Sequence, residues 1–566
     1  MTDRLRRGTL PEMVAAPVDP ERIGIVHLGI GAFHRAHQAV CTERAMVATG
    51  DLTWGILGVT QRSATVRDQL RPQGGVYGVL TAGAATAAGA EDGSGAAGAG
   101  GAARPGYVVG DDLRLDLVGA VVDVAYPAAE TARVIDTLAA PTTHVVTLTI
   151  TEKGYARLPG GGLDVDRVRP DLDVLAGSEA PQAAAARPRP AGRAAPGDPS
   201  PPVAAAQQAV ASSAVPDGAP VPPAAEVLPA ASAIGLLVRG LAARHRAGDA
   251  PLTVLTCDNM VDNGRVLERL VREAVDAALP GAEGDGLRAY LDARVAFPCS
   301  MVDRIVPATT PGQRDAVERA LGVRDEGLVV GEPFLQWVIE DRFAGPRPAW
   351  EHAGATLTPD VAPYEQAKLR LLNGTHSLVA YAGALAGHAT IAEAIADPVI
   401  ARHARVYLFD DALPTLTPPP GLDLGEYGEE ILRRFANPHT GHTTIQVAMD
   451  GTQKIPFRWG GVVEDSLAAG RTPYGVAFAL ASWARFVERR TLAASGRGAD
   501  VPGGSCDGVD DPRAEELAAL AGGSDMALGA AGSRRAPEVV RRLVTLPGLL
   551  PVTSDDLVEA VLDAAG

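Results

Sequence analysis

Strands and helices alternate along the first half of this chain, and that alternation constrains the fold more than any other feature. Arg22 to Leu28 reads as a strand, followed by a helix-like run from Phe33 to Thr49. Thr53 to Val59 is a second strand. Leu117 to Val124, His144 to Thr151 and Leu252 to Thr256 are strand-like, and Asn263 to Ala278 reads as a helix. Strands joined through helices make a parallel sheet with crossover helices on its faces. From about Glu332 the pattern changes. Helical stretches dominate: Phe334 to Phe343, Tyr364 to Ala386, Ile391 to Asp397, Tyr427 to Phe435, Gly475 to Arg490, Pro537 to Leu543 and Ser554 to Ala565. The expected fold is an α/β N-terminal domain, residues 1–330, followed by a mostly α-helical C-terminal domain, residues 331–566.

Three stretches interrupt this pattern and read as inserts, at about 82–106, 178–232 and 492–535. The first is nearly all Ala and Gly, the second is rich in Ala and Pro, and the third is milder. The first two hold too few large apolar residues to offset chain entropy, so they are expected to be loop expansions or disordered.

The composition excludes several function classes. A net charge of −17 over 566 residues lacks the basic footprint of a nucleic-acid binder. The segment Met1 to Leu10 carries three arginines but no apolar core, so a secretory leader is not expected. No apolar run reaches the ~20 residues of a membrane helix without interruption. Cys41, Cys257, Cys299 and Cys506 are far apart, which fits a reduced, cytoplasmic protein. Only three of the 51 basic residues are lysines: Lys153, Lys368 and Lys454. A lysine kept in an arginine-rich chain marks places where an ammonium able to lose its proton serves better than a guanidinium.

Gly29-Ile30-Gly31 closes the first strand and opens a helix. That is half of a dinucleotide fingerprint: the glycines permit a tight turn and close backbone approach by a pyrophosphate. His34 occupies the third glycine position. No carboxylate sits at Val59–Thr60 to hold a ribose; Arg62 and Ser63 follow instead, and Asp68 is a distant candidate. An arginine there suits a 2′-phosphate, so the pattern admits NAD or NADP.

The strongest local signal is Tyr364-Glu-Gln-Ala-Lys-Leu-Arg-Leu-Leu-Asn-Gly-Thr-His376. At about 100° per residue, with Lys368 at 0°, Glu365 falls near 60°, His376 near 80° and Asn373 near 140°. On a continuous α-helix all four share one side. Burial lowers a lysine pKa toward neutrality and makes it a usable base for a hydroxyl. A carboxamide at Asn373 can stabilise alkoxide character, and His376 can hold a neighbouring hydroxyl. The same spacing also describes an amphipathic helix with a Glu365–Lys368 ion pair.

The chain resembles the long-chain polyol dehydrogenases, the group of mannitol 2-dehydrogenase and fructuronate reductase (D-mannonate oxidoreductase). The matching segments are Ile25 to His37, Leu148 to Tyr155, Cys257 to Met260 with Asn263-Gly264, Phe297 to Ile305, Glu332 to Asp341, Lys368 to His376, and Arg434 to Pro438 through Met449 to Lys454. They are co-linear with the family and span most of the chain outside the inserts. The resemblance implies a Rossmann-type domain followed by a helical domain, with the site in the cleft between them. It implies metal-independent oxidation of a secondary alcohol by NAD. Lys368 is then the expected general base, with Asn259 and Asn373 around the reacting oxygen. His376 would bind substrate, Glu365 would serve the proton path, and Asp303 and Lys454 would contact the polyol. Gly29, Ile30, Gly31, Ala32, Phe33, His34 and Arg35 correspond to the family's nucleotide loop.

Two positions bear on the branch. Lys153, in Thr-Glu-Lys-Gly-Tyr, is similar to the fructuronate reductases, where the mannitol branch has Gly. An ammonium there would recognise a carboxylate. His442-Thr-Thr-Ile-Gln446 is also similar to that branch, where the mannitol branch has Asp and Arg at the outer positions; Thr443 departs from its frequent Arg. The expected reaction is therefore D-mannonate + NAD⁺ ⇌ D-fructuronate + NADH. The alternatives are a mannitol, arabinitol or altronate dehydrogenase, and, outside enzymes, an inactive nucleotide-binding regulatory protein. Zinc ligation by His34/His37 or His439/His442 is disfavoured, because no third ligand lies nearby in sequence.

Overall fold

The computed structural model describes residues 3–12, 14–82, 107–110, 113–158, 160–177, 231–496, 508–522 and 532–566. Thirteen strands lie among them: β1 (Ile23–Leu28), β2 (Gly55–Val59), β3 (Tyr77–Ala82), β4 (Tyr107–Gly110), β5 (Leu113–Val118), β6 (Val121–Ala125), β7 (Val145–Leu148), β8 (Leu252–Thr256), β9 (Val295–Ala296), β10 (Ser300–Asp303), β11 (Val329–Gly331), β12 (Gln336–Glu340) and β13 (Thr356–Thr358). Six of them form one parallel sheet in the order β6-β2-β1-β7-β8-β9. β1 is central, and the direction of winding reverses between β1 and β7. Open parallel sheets bind ligands at that reversal, beyond the carboxyl ends of the strands.

The central strands are covered on both faces, which explains their unbroken apolar runs. On one face Val26, Leu28, Leu57 and Val146 pack with Leu236 and Leu237 of the helix Ala233–Arg246 and with Leu267, Leu270 and Val271 of the helix Asn263–Ala278. On the other, Ile25, Ile56 and Val145 meet Ala39, Cys41 and Met46 of the helix Gln38–Thr49, together with Trp337 and Trp350. Two smaller sheets, β11-β3-β5-β4 and β10-β12-β13, flank the first. After Thr358 the chain is helical, around a second core containing Tyr381, Trp459 and Trp483. The α/β-then-helical order is as expected.

Several expectations fail locally. The segment Phe334 to Phe343 is not a helix: its middle is β12, antiparallel to β10 and parallel to β13. Short apolar runs do not distinguish a buried strand from a buried helix, and sheet partners decide here. The run Leu117–Val124 divides at Gly119-Ala120 into β5 and β6, which join different sheets. The helix Phe33–Thr49 breaks at His37. The first two inserts fall almost wholly outside the described residues. Part of the third is core: the helix Ala514–Gly522 buries Leu517 among the helical-domain side chains.

Candidate functional site

The glycine turn sits at the carboxyl end of β1. Gly29 has φ +97, and a Cβ there would lie 2.2 Å from the Thr149 carbonyl oxygen, so only glycine fits. Gly31 differs: a Cβ would meet only the Gly29 oxygen, at 3.8 Å. That open space suits close approach by a pyrophosphate to the backbone. Three of the seven expected contact residues turn their side chains inward. Ile30 packs over Gly58 of β2. His34 is fully buried and stacks on His27 at 3.4 Å. Arg35 donates to the Gly31 carbonyl (3.1 Å) and the Gly327 carbonyl (2.6 Å). Contacts from Ile30, His34 and Arg35 are therefore limited to backbone; Ala32 is exposed, and Phe33 is half-buried and stacks on His37 at 5.1 Å.

At the end of β2, Arg62 and Ser63 are exposed, and Asp68 is paired with Arg67 at 2.8 Å. Gln61, unremarked in the sequence, carries a buried Nε2 with no partner among the described residues. An unpaired amide donor where a ribose hydroxyl would lie fits a dinucleotide.

The next layer comes from β7 and β8. Asp258, just past β8, accepts from Ile150 N (2.9 Å), Thr151 N (3.0 Å) and Tyr155 Oη (2.7 Å). It holds Thr151 at φ +63 and fixes the turn Thr151–Gly154, which carries Lys153 exposed on its surface. Asn259 follows directly.

Lys368 joins the two domains. Its buried Nζ donates to Asn259 Oδ1 (2.8 Å) and to the Val302 carbonyl (2.6 Å). Burial pushes its pKa below the usual lysine range, against the attraction of Asp303. Lys368 does not lie on a uniform α-helix. The helix Ala362–Ala367 opens into a π-helical turn, Lys368–Asn373, before the helix Gly374–Ala386 resumes. The uniform 100° spacing therefore does not apply across it. Tyr407 Oη takes the Arg370 carbonyl (2.6 Å), Arg458 the Asn373 carbonyl (3.2 Å), and Trp459 Nε1 the Gly374 carbonyl (3.1 Å). These donors satisfy acceptors in the widened turn, and π turns of this kind cluster at functional sites. Two more, Val406–Ala412 and Pro456–Gly460, supply Tyr407, Arg458 and Trp459.

Glu365 interacts with Lys368, and Asn373 and His376 follow on the same helical segment. Glu365 is buried, and burial pushes its carboxyl up to about 7. Asn373 is buried too. His376 stacks on Phe435 (4.9 Å) and on His442 (5.7 Å), with its Nε2 buried and unpartnered among the described residues. Burial holds both imidazoles neutral, His376 strongly so. Lys454 donates to the carbonyls of Met449 (2.5 Å) and Val447 (3.4 Å), and burial lowers its pKa to about 8.

Two expected substrate contacts are otherwise engaged. Gln446 is exposed and forms a capping box with Thr443 at the start of the helix Thr444–Ala448. Both Asp303 oxygens are taken by Arg434, at 2.7 and 3.0 Å. Arg434, Glu332, Arg458 and Asp258 carry no role in the sequence reading, though each lies in or beside a motif segment. Asp258 and Glu332 come just after apolar strands, which is a signal; Arg434 and Arg458 lie on helical turns and have none. Among the described residues, no three His, Cys, Asp or Glu side chains gather as a metal site.

This arrangement can remove a proton from a hydroxyl at Lys368 Nζ, with the Asn259 carboxamide bonded to that nitrogen. Residues 109–352 match the sequence profile of the mannitol dehydrogenase Rossmann domain, and residues 360–502 that of the mannitol dehydrogenase C-terminal domain. The D-mannonate oxidoreductase of Escherichia coli (strain K12) is 33% identical over 498 residues, covering 87% of this chain and 83% of that protein. The D-arabinitol 4-dehydrogenase of Ralstonia nicotianae is 34% identical over 484 residues, covering 85% of each. The solved Pseudomonas fluorescens mannitol 2-dehydrogenase, in ternary complex with NAD and D-mannitol, is 28% identical with a TM-score of 0.68, covering 100% of this chain and 96% of that one.

Proposed function

The chain belongs to the mannitol dehydrogenase family, an NAD-dependent group acting on CH–OH, and from that premise we propose that it interconverts D-mannonate and D-fructuronate. The chemistry that bound NAD supplies is acceptance of a hydride equivalent from the carbinol carbon. Gly29, Gly31 and Gln61 would hold it. Lys368 takes the hydroxyl proton in oxidation and returns it in reduction. Asn259 and Asn373 stabilise the oxygen as its charge grows. His376, neutral and with a free Nε2, binds a neighbouring hydroxyl, and Glu365 relays the proton outward.

The observation that carries the base assignment is Lys368 itself. It is buried, depressed in pKa, and hydrogen-bonded to a carboxamide and a carbonyl. The aldonate reading is supported by the charge of the substrate side. Among the described residues Lys454 has no closer carboxylate than Asp450 at 3.9 Å, and Arg458 donates to a carbonyl and to Ser377 Oγ. Lys153 stands on a turn tied to the neighbour of Asn259. A carboxylate would complement these cations. The equal identity of the arabinitol relative keeps an uncharged polyol as the second reading.

NADH oxidation with D-fructuronate, measured against D-fructose, tests the substrate. A higher kcat/KM for fructose assigns the enzyme to the polyol branch. NADH binding without turnover of any hexonate or polyol would make the chain a regulatory paralogue. Lys368→Ala should lose several orders of magnitude in kcat with NADH binding intact; near-normal turnover would move the base elsewhere.

A further inference from the structure

A buried charge cluster joins the two domains immediately behind Lys368. Arg434, from the helix Leu424–Phe435, is 3% exposed, and its partners Asp303 and Glu332 are 6% and 1% exposed. Its guanidinium meets both oxygens of Asp303, at the end of β10, and both oxygens of Glu332, just after β11. The four distances are 2.7 and 3.0 Å, and 2.8 and 3.0 Å. The same guanidinium rests over the Phe334 ring at 4.0 Å. Only an arginine fork can serve two carboxylates in this way.

Lys368 is the immediate neighbour. Its Nζ bonds the carbonyl of Val302, the residue before Asp303. Yet among the described residues no ion pair joins Lys368 to Asp303, whose oxygens are both committed to Arg434. A lysine in a direct ion pair keeps its proton and is useless as a base at neutral pH.

We propose that Arg434 is a positioning residue that holds the Asp303 carboxylate away from Lys368 and so leaves the lysine free to act as a base. This rests on Lys368 being the base. The charged groups facing Lys368 are Asp303 from β10, Arg434 from its helix, Glu365 from the helix before the π turn and Arg458 from the turn Pro456–Gly460; His37 at the helix break also faces it, and burial keeps that imidazole neutral. Arg434 and Arg458 oppose the lysine's proton, while Asp303 and Glu365 favour it. Removing Arg434 both deletes an opposing cation and frees Asp303. The two effects have the same sign.

The chain's three lysines make the test direct. With [13Cε]lysine incorporated, the full-length protein gives three signals, and the Lys368 signal is the one lost in Lys368→Ala. In Arg434→Gln the titration midpoint of that signal should rise by about 1–3 units. The ascending limb of kcat/KM against pH should move up with it. Arg434→Lys, which cannot serve both carboxylates, should fall between. Asp303→Asn keeps the shape but removes the charge, and should move the midpoint down. If Arg434→Gln does not fold, Asp303→Asn alone decides. An unmoved or lowered midpoint in Arg434→Gln overturns the proposal, as does an unmoved or raised one in Asp303→Asn. The titration needs no substrate, so its outcome is separate from the turnover of Lys368→Ala, which tests the base itself.

Discussion

Asp258 offers the sharpest test of how the strand ends build this site. Its carboxylate takes two backbone N–H groups, of Ile150 and Thr151, and the Tyr155 hydroxyl. Hydrogen bonds to an ionised carboxylate contribute about 1.5 kcal/mol each at the low end, so three contribute roughly 4–5 kcal/mol. Against this stands Thr151, a β-branched residue at φ +63. Releasing it recovers about 1–2 kcal/mol. Asp258→Ala should therefore loosen the β7 turn by about 3 kcal/mol, or roughly 150-fold in its opening equilibrium. Hydrogen exchange read by mass spectrometry on a peptide spanning residues 145–155 measures this directly. The helix Asn263–Ala278 serves as an internal control, since it packs on the sheet through other residues. Because Asn259 and Lys153 both depend on this turn, kcat/KM should fall while NADH still binds. Protection in that peptide within about threefold of the parent would refute the accounting and leave Asp258 a surface carboxylate.

Other outcomes follow from the same geometry. Burial pushes Glu365 up to about 7 from 4.5, so the folded protein keeps a proton the unfolded chain has lost, and stability falls as pH rises from 4.5 to 7. Glu365→Gln should therefore be more stable than the parent at pH 8 by about 3 kcal/mol, with the gain shrinking toward pH 4.5, as urea midpoints would read. Gly29→Ala should fold poorly, whereas Gly31→Ala should keep its melting temperature and lose NADH affinity about tenfold or more by calorimetry; equal affinity would remove the pyrophosphate from that turn. Lys454, lowered to about 8, should release its proton between pH 7 and 9, raising KM over that range; Lys454→Arg should flatten the rise.

Sheet elements were legible where one chemistry governs the whole segment. Leu252–Thr256 and Asn263–Ala278 have the bounds the sequence suggests, because an apolar run between breakers and a clean 3.6-residue repeat each allow one answer. β12 was not legible, since Trp337-Val-Ile suits either structure and the choice lies with β10 and β13. The helical constellation could be found from Lys368, Asn373 and His376, but not its geometry, because no local pattern announces a π turn. Asp258, Glu332 and Arg434 stayed silent for another reason. Their partners lie 102 to 131 residues away, and a charged residue takes its meaning from what the fold brings to it.

The π turns carry a consequence for how such a site can be lost. A turn closed by i→i+5 bonds is an α-helix with one residue to spare. Were the turn to tighten into ordinary α-helix with every residue kept, His376 would swing by about 100° around the axis relative to Lys368. No reacting side chain would change identity, yet the lysine and imidazole would no longer face one substrate. The winding of the helix is thus as much a determinant of this site as the residues that line it. A comparison scored on identities alone would count an intact set of residues in a chain that could no longer use them.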